Sequence, residues 1–203
     1  MQKMLYQNAK IIFSCMIMIY ACINFSTVSA QAIRGNPLAP ITIVEYIDFQ
    51  CPDCVDSKKI VDQILQTYDG KVQLKLKHYP HDTHPYAMSA AQVFEALARQ
   101  DGEKAWEFYD LTMTEQSVLK RGNSGLQYFV DKLKLSPTQK NQLNRDLADP
   151  VIEEDIKNDM EEANKLGFHH TPNFFINGIH VAKADSIEAF SQMIDSLLIS
   201  TAY

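Results

Sequence analysis

Residues 39–54 read APITIVEYIDFQCPDC, an apolar segment that runs directly into two cysteines separated by two residues. The β-branched and aromatic side chains of residues 39–50 favour a buried strand. Apolar residues recur at helical spacing from Pro52 to about Tyr68, and residues 72–80 (VQLKLKHYP) then alternate as a strand does. The order strand, helix, strand predicts a βαβ unit, in which the two strands pair in parallel.

Helical patterns fill the middle of the chain, and strand signals return only near its end. The dipeptide Asn177-Gly178 lies between apolar runs, which is a strong signal for a β-hairpin. The sequence therefore predicts an α/β fold with one central mixed sheet, made of a βαβ half and a ββα half. An all-helical domain is inserted between these halves. We place the first half at residues 31–84, the helical domain at residues 85–166 and the second half at residues 167–203.

The first 30 residues have the features of a secretory signal peptide. Lys3 and Lys10 give the start of the chain a positive charge, and residues 11–23 form an apolar run. Residues 28–30 (VSA) supply the small residues that a signal peptidase needs. We expect cleavage after Ala30 and a location in the periplasm or cell envelope. Two alternatives are an uncleaved membrane anchor and a lipoprotein attached through Cys22.

Cleavage would remove two of the four cysteines and leave Cys51 and Cys54 as the only pair. A single closely spaced pair in an exported chain is not a disulfide scaffold, which needs several bridges. Cleavage also removes two lysines and no acidic residue, which leaves 17 basic against 25 acidic residues, a net charge of −8. This balance, without a basic cluster, argues against nucleic acid or an anionic membrane surface as a partner.

The position of the pair at the start of a helix indicates redox chemistry. If Cys51 is the N-cap and Pro52 the first helical residue, Cys54 lies one turn along, within disulfide reach of Cys51. The unpaired N–H groups at the helix N-terminus would then stabilise the Cys51 thiolate, which is the nucleophilic form. We expect Cys54 to be more buried and to react more slowly.

Two metal-binding interpretations compete with this one, as does an inert structural disulfide. A zinc site would need two further ligands beside the cysteines, and the candidates are histidines: His78, His81, His84, His169 and His170. A copper site would need a soft third ligand close by. The methionines of the mature chain are instead scattered at helical core positions: Met88, Met113, Met160 and Met193. We therefore favour a redox disulfide, without a metal or another cofactor.

Several segments resemble one known family in the right order. GNPLAPITIVEYIDFQCPDC (35–54), KHYPHDTHPYAMSAA, AWEFYDLTM and ANKLGFHHTPNFFINGIHV (163–181) are similar to landmarks of the DsbA-like proteins of the bacterial cell envelope. The resemblance covers nearly all of residues 35–199. It implies a thioredoxin fold with an inserted helical domain, and the activity of a thiol:disulfide oxidoreductase.

The resemblance also implies roles for individual residues. Cys51 matches the exposed nucleophile, Cys54 the resolving cysteine, and Thr171-Pro172 the cis-proline loop that faces the disulfide. Glu45 lies where the family keeps a buried acid beneath the disulfide. We hypothesise that Glu45 exchanges protons with Cys54, because burial would raise the pKa of its carboxyl. The alternative is a partly exposed acid near a strand edge.

Residues 53 and 171 bear on whether the protein donates disulfides or reduces them. The family's strongest oxidants carry histidine at the position of Asp53, whose negative charge here predicts a milder oxidant. Threonine at position 171 is common in family reductases and isomerases, which are the alternative function. Only residues 31–38 separate the predicted cleavage site from the first predicted strand. Because the dimerisation segment of family isomerases would not fit there, we expect a monomer that donates disulfides.

The resemblance also implies the kinds of partner. Substrates would be exported proteins that contain cysteines, and a membrane redox partner would restore the disulfide of the Cys51–Cys54 pair. The sequence offers no choice between His169 and His170 as a neighbour of the two sulfurs.

Overall fold

A computed structural model describes residues 32–181 and 186–200 of the chain. The predicted signal peptide and its cleavage site lie outside these residues. Five strands form one mixed sheet in the order β1-β3-β2-β4-β5, in which β2 and β3 are parallel and the other neighbours are antiparallel. The strands are β1 (Ile33–Gly35), β2 (Ile41–Ile47), β3 (Val72–His78), β4 (Asn173–Ile176) and β5 (Ile179–His180).

Helix α1 joins β2 to β3, and the helices α2 to α6 lie between β3 and β4. Their bounds are α1 (Pro52–Thr67), α2 (Ala87–Ala98), α3 (Gly102–Thr114), α4 (Asn123–Lys132), α5 (Pro137–Leu147) and α6 (Pro150–Lys165), with a 3-10 helix at Gln116–Arg121 after α3. A last helix, α7 (Ile187–Ser200), follows β5. The mixed sheet and the helical insertion are thus both present as predicted.

Successive side chains of the central strand β2 point to opposite sides of the sheet, and both sides are buried. Ile43, Glu45 and Ile47 are each at most 1% exposed and lie on the face covered by α1 and α7. Tyr46, on the other face, belongs to a smaller apolar cluster with Ala163 of α6. Glu45 therefore lies beneath the helix that begins at the cysteine pair.

Three local features have a clear signal in the sequence, and the second and third of them were predicted. Ser136 and Gln139 form a capping box at the start of α5. Asn177 and Gly178 have φ angles of 47° and 81° and connect β4 to β5, as a tight hairpin turn requires. Helix α1 begins at Pro52, directly after Cys51. Each of these features is specified by a few neighbouring residues.

One predicted strand was too long, and one strand was not predicted. The first strand, expected over residues 39–50, ends at Ile47, and the residues after it form a turn. Strand β1, which was not predicted, has only three residues and pairs with the outer edge of β3. A strand that short has no detectable alternation of its own, so pairing with β3 decides its conformation.

No helix within residues 32–181 and 186–200 combines the length and the apolar character needed to cross a lipid bilayer.

Candidate active site

The two cysteines lie in the first turn of α1, and both are free thiols. Cys51 is the N-cap of the helix, with extended backbone (φ −73°, ψ 122°), and Pro52 occupies the first helical position. The Cys51 N–H donates to the Asp48 carbonyl oxygen over 3.1 Å. This turn places the Cys51 sulfur at the N-terminus of the helix, where backbone N–H groups are unpaired.

The surroundings of Cys51 favour its thiolate and lower the pKa of the thiol from its ordinary value of 9.0 to about 6. The largest cause is a hydrogen bond from the Cys54 thiol. A side-chain hydrogen bond from Thr171 and the backbone N–H groups of Asp53 and Cys54 act in the same direction, while partial burial opposes them. At neutral pH Cys51 is therefore mostly a thiolate, which is the reactive nucleophile.

Cys54 behaves in the opposite way, because it is completely buried. Desolvation raises the pKa of the Cys54 thiol well above its ordinary value, and the neighbouring Cys51 and Glu45 raise it further. The expected difference between an ionised first cysteine and a buried, protonated second cysteine is thus present. A proton must reach or leave the Cys54 sulfur whenever a Cys51–Cys54 disulfide opens or closes.

Glu45 is the candidate group for exchanging this proton with Cys54. Its side chain is 0% exposed, and Oε1 accepts a hydrogen bond from the Ser57 hydroxyl over 3.0 Å. Desolvation raises the pKa of the Glu45 carboxyl to about 8, although the Ser57 bond opposes the shift. The alternative of a partly exposed acid is therefore wrong, since β2 is central in the sheet and α1 covers it.

The Thr171–Pro172 loop faces Cys51, and its peptide bond is cis. The Cys51 sulfur lies 3.3 Å from the Thr171 carbonyl oxygen, to which it donates a hydrogen bond only when it is protonated, and this loop covers part of the sulfur. Cys51 is only 7% exposed as a result. The nucleophile is less open to solvent than the expectation of an exposed cysteine implied.

Two other predicted residues border the turn. Pro52 and Asp53 are both exposed in the first turn of α1. Asp53 acts on Cys51 through its backbone N–H, so the effect of its carboxylate on redox strength stays a prediction.

The histidines that were candidate zinc ligands have other contacts. His78 is buried against Glu95, with 2.8 Å between Nε2 and Oε1, and His84 lies 2.7 Å from an Asp48 carboxylate oxygen. His169 is exposed and contacts Asn164, and His170 is exposed as well. In the part of the chain that the structure describes, no three His, Cys, Asp or Glu side chains are grouped to hold a metal ion.

Two residues that the sequence analysis did not select support the reactive turn. The buried Asp48 carboxylate accepts the N–H groups of Gln50 (2.6 Å) and His81 (2.8 Å). Gln116, in the 3-10 helix of the insertion, donates to the Cys51 carbonyl oxygen over 2.8 Å. An aspartate at the end of a buried strand is a signal for such backbone bonding. Nothing in the sequence around Gln116 distinguishes it.

Comparison with known protein families agrees with this geometry. A family model described as Thioredoxin matches residues 27–196. The crystal structure of alpha-DsbA1 from Wolbachia pipientis superposes with a TM-score of 0.69 at 23% sequence identity, over 85% of this chain and 93% of that one. The architecture is thus a thioredoxin fold with a helical insertion of the DsbA-like kind.

Two curated relatives differ in how much of their length is matched. The Na(+)/H(+) antiporter NhaA 3 of Salinispora tropica is 34% identical over 83% of this chain, which corresponds to 25% of the antiporter. The probable disulfide bond formation protein D of Bacillus cereus is 29% identical over 84% of this chain and 80% of that protein. The chain thus spans about a quarter of the first relative and most of the second.

Proposed function

Because the chain belongs to the thioredoxin family, we propose that it is a thiol:disulfide oxidoreductase that donates the Cys51–Cys54 disulfide to substrate proteins. The observation that carries the proposal is the position of Cys51 as the N-cap of α1, with Cys54 one turn along; the Cys54 thiol and the backbone N–H groups there lower the pKa of the Cys51 thiol to about 6. A stabilised Cys51 thiolate makes the reduced protein more stable relative to its disulfide, and this raises the reduction potential. The same property makes Cys51 a good leaving group during exchange.

The first step opens the disulfide of the oxidised protein. A substrate thiolate attacks the Cys51 sulfur, the bond between Cys51 and Cys54 breaks, and the electron pair moves to the Cys54 sulfur. The products are a mixed disulfide at Cys51 and a Cys54 thiolate. At neutral pH the carboxyl of Glu45 is mostly protonated, since burial raises its pKa to about 8. It gives this proton to Cys54.

The second step releases the product. A second substrate thiolate attacks the substrate sulfur of the mixed disulfide, which forms the substrate disulfide and frees the Cys51 thiolate. Two substrate thiolates are oxidised in total, and the Cys51–Cys54 disulfide is reduced to the Cys51 thiolate and the Cys54 thiol. Hydrogen bonds from the α1 backbone, Cys54 and Thr171 stabilise the released thiolate, which supports the donor direction.

The predicted signal peptide supports action outside the cytoplasm, in the periplasm or cell envelope. Substrates there are exported proteins with pairs of cysteines, and a membrane redox partner reoxidises the Cys51–Cys54 pair. The reverse direction, a reductase or isomerase, is the second candidate, and the threonine at position 171 favours it.

Equilibration of residues 31–203 in glutathione buffers, with thiols counted by their mass shift after alkylation, tests the direction. We expect a reduction potential well above that of the glutathione couple, as for a disulfide donor. A value in the range of thioredoxin would favour the reductase or isomerase instead. A chain whose cysteines never exchange with glutathione would contradict both functions.

Asp53→His should make the protein a stronger oxidant. The substitution removes a negative charge near the Cys51 sulfur, and we expect the pKa of the Cys51 thiol to fall by an amount on the order of one unit. The thiolate absorbance as a function of pH measures this pKa, and the glutathione equilibrium measures the potential. Asp56→His, at an exposed site further along α1, is the matched control. If Asp53→His changes neither quantity, the Asp53 carboxylate does not act on the sulfur.

A further inference from the structure

Two buried oxygen atoms beneath the reactive helix have no hydrogen-bond partner among the described residues. They are Oε2 of Glu45 and the hydroxyl oxygen of Tyr109. Glu45 is 0% and Tyr109 1% exposed. An unpaired buried polar group costs free energy, so it calls for an explanation, such as a catalytic role or a bound water.

Both side chains lie in one environment around α1. Ser57 of this helix bonds to Glu45, and the Nζ atom of the next residue, Lys58, lies 5.8 Å from the centre of the Tyr109 ring. Arg34 of β1 approaches the same ring, with its Cζ atom 5.6 Å from the centre. Tyr109 and Cys54 belong to the same buried core cluster, and Ser57 joins Glu45 to the helix that carries Cys54. The three side chains therefore share one buried region beside α1.

We propose that the Tyr109 hydroxyl donates a hydrogen bond to the Glu45 carboxylate, directly or through one water molecule, after Glu45 has given its proton to Cys54. Tyr109 keeps its own proton throughout and acts as a positioning residue. This inference rests on the proposed function, because it concerns the acid that serves Cys54. Its role is to stabilise the charge that remains on Glu45 after the transfer.

The charged side chains around Glu45 have opposite effects on the stability of its carboxylate. A neutral hydrogen-bond donor is therefore suited to stabilise this carboxylate. Asp62 disfavours the Glu45 anion, while Lys58 and Arg34 favour it. Asp110 pairs with both cations, at 2.5 Å from Arg34 and 3.0 Å from Lys58. Asp62 pairs with the same two cations, so the two positive and two negative charges offset one another. A hydroxyl that reorients towards Glu45 adds stabilisation only when the carboxylate forms.

Tyr109→Phe tests the proposal, since phenylalanine keeps the ring and its packing and removes only the hydroxyl. In the oxidised protein, where neither cysteine titrates, the infrared carboxylate band of Glu45 reports its pKa, with Glu45→Gln to identify the band. We expect Tyr109→Phe to raise the pKa of Glu45 by about one unit. A weaker proton donor should also slow the opening of the disulfide by substrate thiol at pH 7, by about three- to tenfold.

Tyr128→Phe is the matched control, because its hydroxyl donates to Glu115 over 2.7 Å and serves another carboxylate. It should leave the pKa of Glu45 unchanged. An identical Glu45 titration in Tyr109→Phe and the wild-type protein overturns the proposal, even if the exchange rate falls, because a loss of packing would also lower the rate. The infrared titration needs no exchange activity, so it tests Tyr109 independently of the proposed function.

Discussion

Replacing Cys51 with serine is expected to lower the rate of disulfide exchange by at least about a thousand-fold. The thiolate of Cys51 is the nucleophile at the N-terminus of α1, and a serine hydroxyl does not ionise at neutral pH. The hydrogen bonds that stabilise the thiolate from Cys54, Thr171 and the helix backbone would then have no anion to act on. The measurement is the rate at which the reduced protein reduces a small aromatic disulfide, followed by absorbance.

Cys54→Ser is the informative partner of this variant. It keeps Cys51 and a hydroxyl donor beside it, but it cannot attack a mixed disulfide at Cys51. We therefore expect normal formation of the mixed disulfide and its accumulation, visible as a mass increase of the protein. Cys54→Ala removes the donor as well, and the pKa of the Cys51 thiol should rise. Equal exchange rates in Cys51→Ser and the wild-type protein would show that another group is the nucleophile.

Glu45→Gln is expected to stabilise the reduced protein by about 3 kcal/mol at pH 7 and by only about 1 kcal/mol at pH 5. Burial raises the pKa of the carboxyl from 4.5 to about 8, so the folded protein binds this proton more tightly than the unfolded chain does. Stability is therefore lost as the pH rises from about 4.5 towards 8. A neutral glutamine of nearly the same shape avoids that loss, and its amide oxygen can still accept the Ser57 hydrogen bond.

Urea unfolding of the reduced protein at pH 5 and pH 7 measures this difference, with Glu154→Gln on the exposed side of α6 as the control. The same variant should lose the proton donor for Cys54 and change the pH profile of disulfide opening. An unchanged profile would exclude proton exchange between Glu45 and Cys54. A gain in stability that does not depend on pH would show that Glu45 is ionised in the folded protein.

The sequence determined the features that depend on neighbouring residues. Pro52 after Cys51 specifies the start of α1, because proline fits the first helical position and lacks an N–H that would need a partner. The periodicity of residues 39–80 specifies the strands and the helix between them, and Asn177-Gly178 specifies the hairpin. The cysteine pair at a helix N-terminus was therefore predictable, and so was the contrast between its two thiols.

Only the tertiary structure decided how the pair is surrounded. The hydrogen bond from Cys51 to Thr171 joins residues 120 positions apart, and the bond from Gln116 to Cys51 joins residues 65 apart. The burial of Glu45 depends on the central position of β2 and on its cover by α1 and α7, and the position of Tyr109 depends on how α3 packs against α1. Local patterns fix how a segment folds, whereas desolvation and long-range hydrogen bonds depend on what packs against it. Burial by these packed elements raises the pKa values of Cys54 and Glu45, whereas the low pKa of Cys51 comes mainly from the Cys54 thiol three residues along the chain.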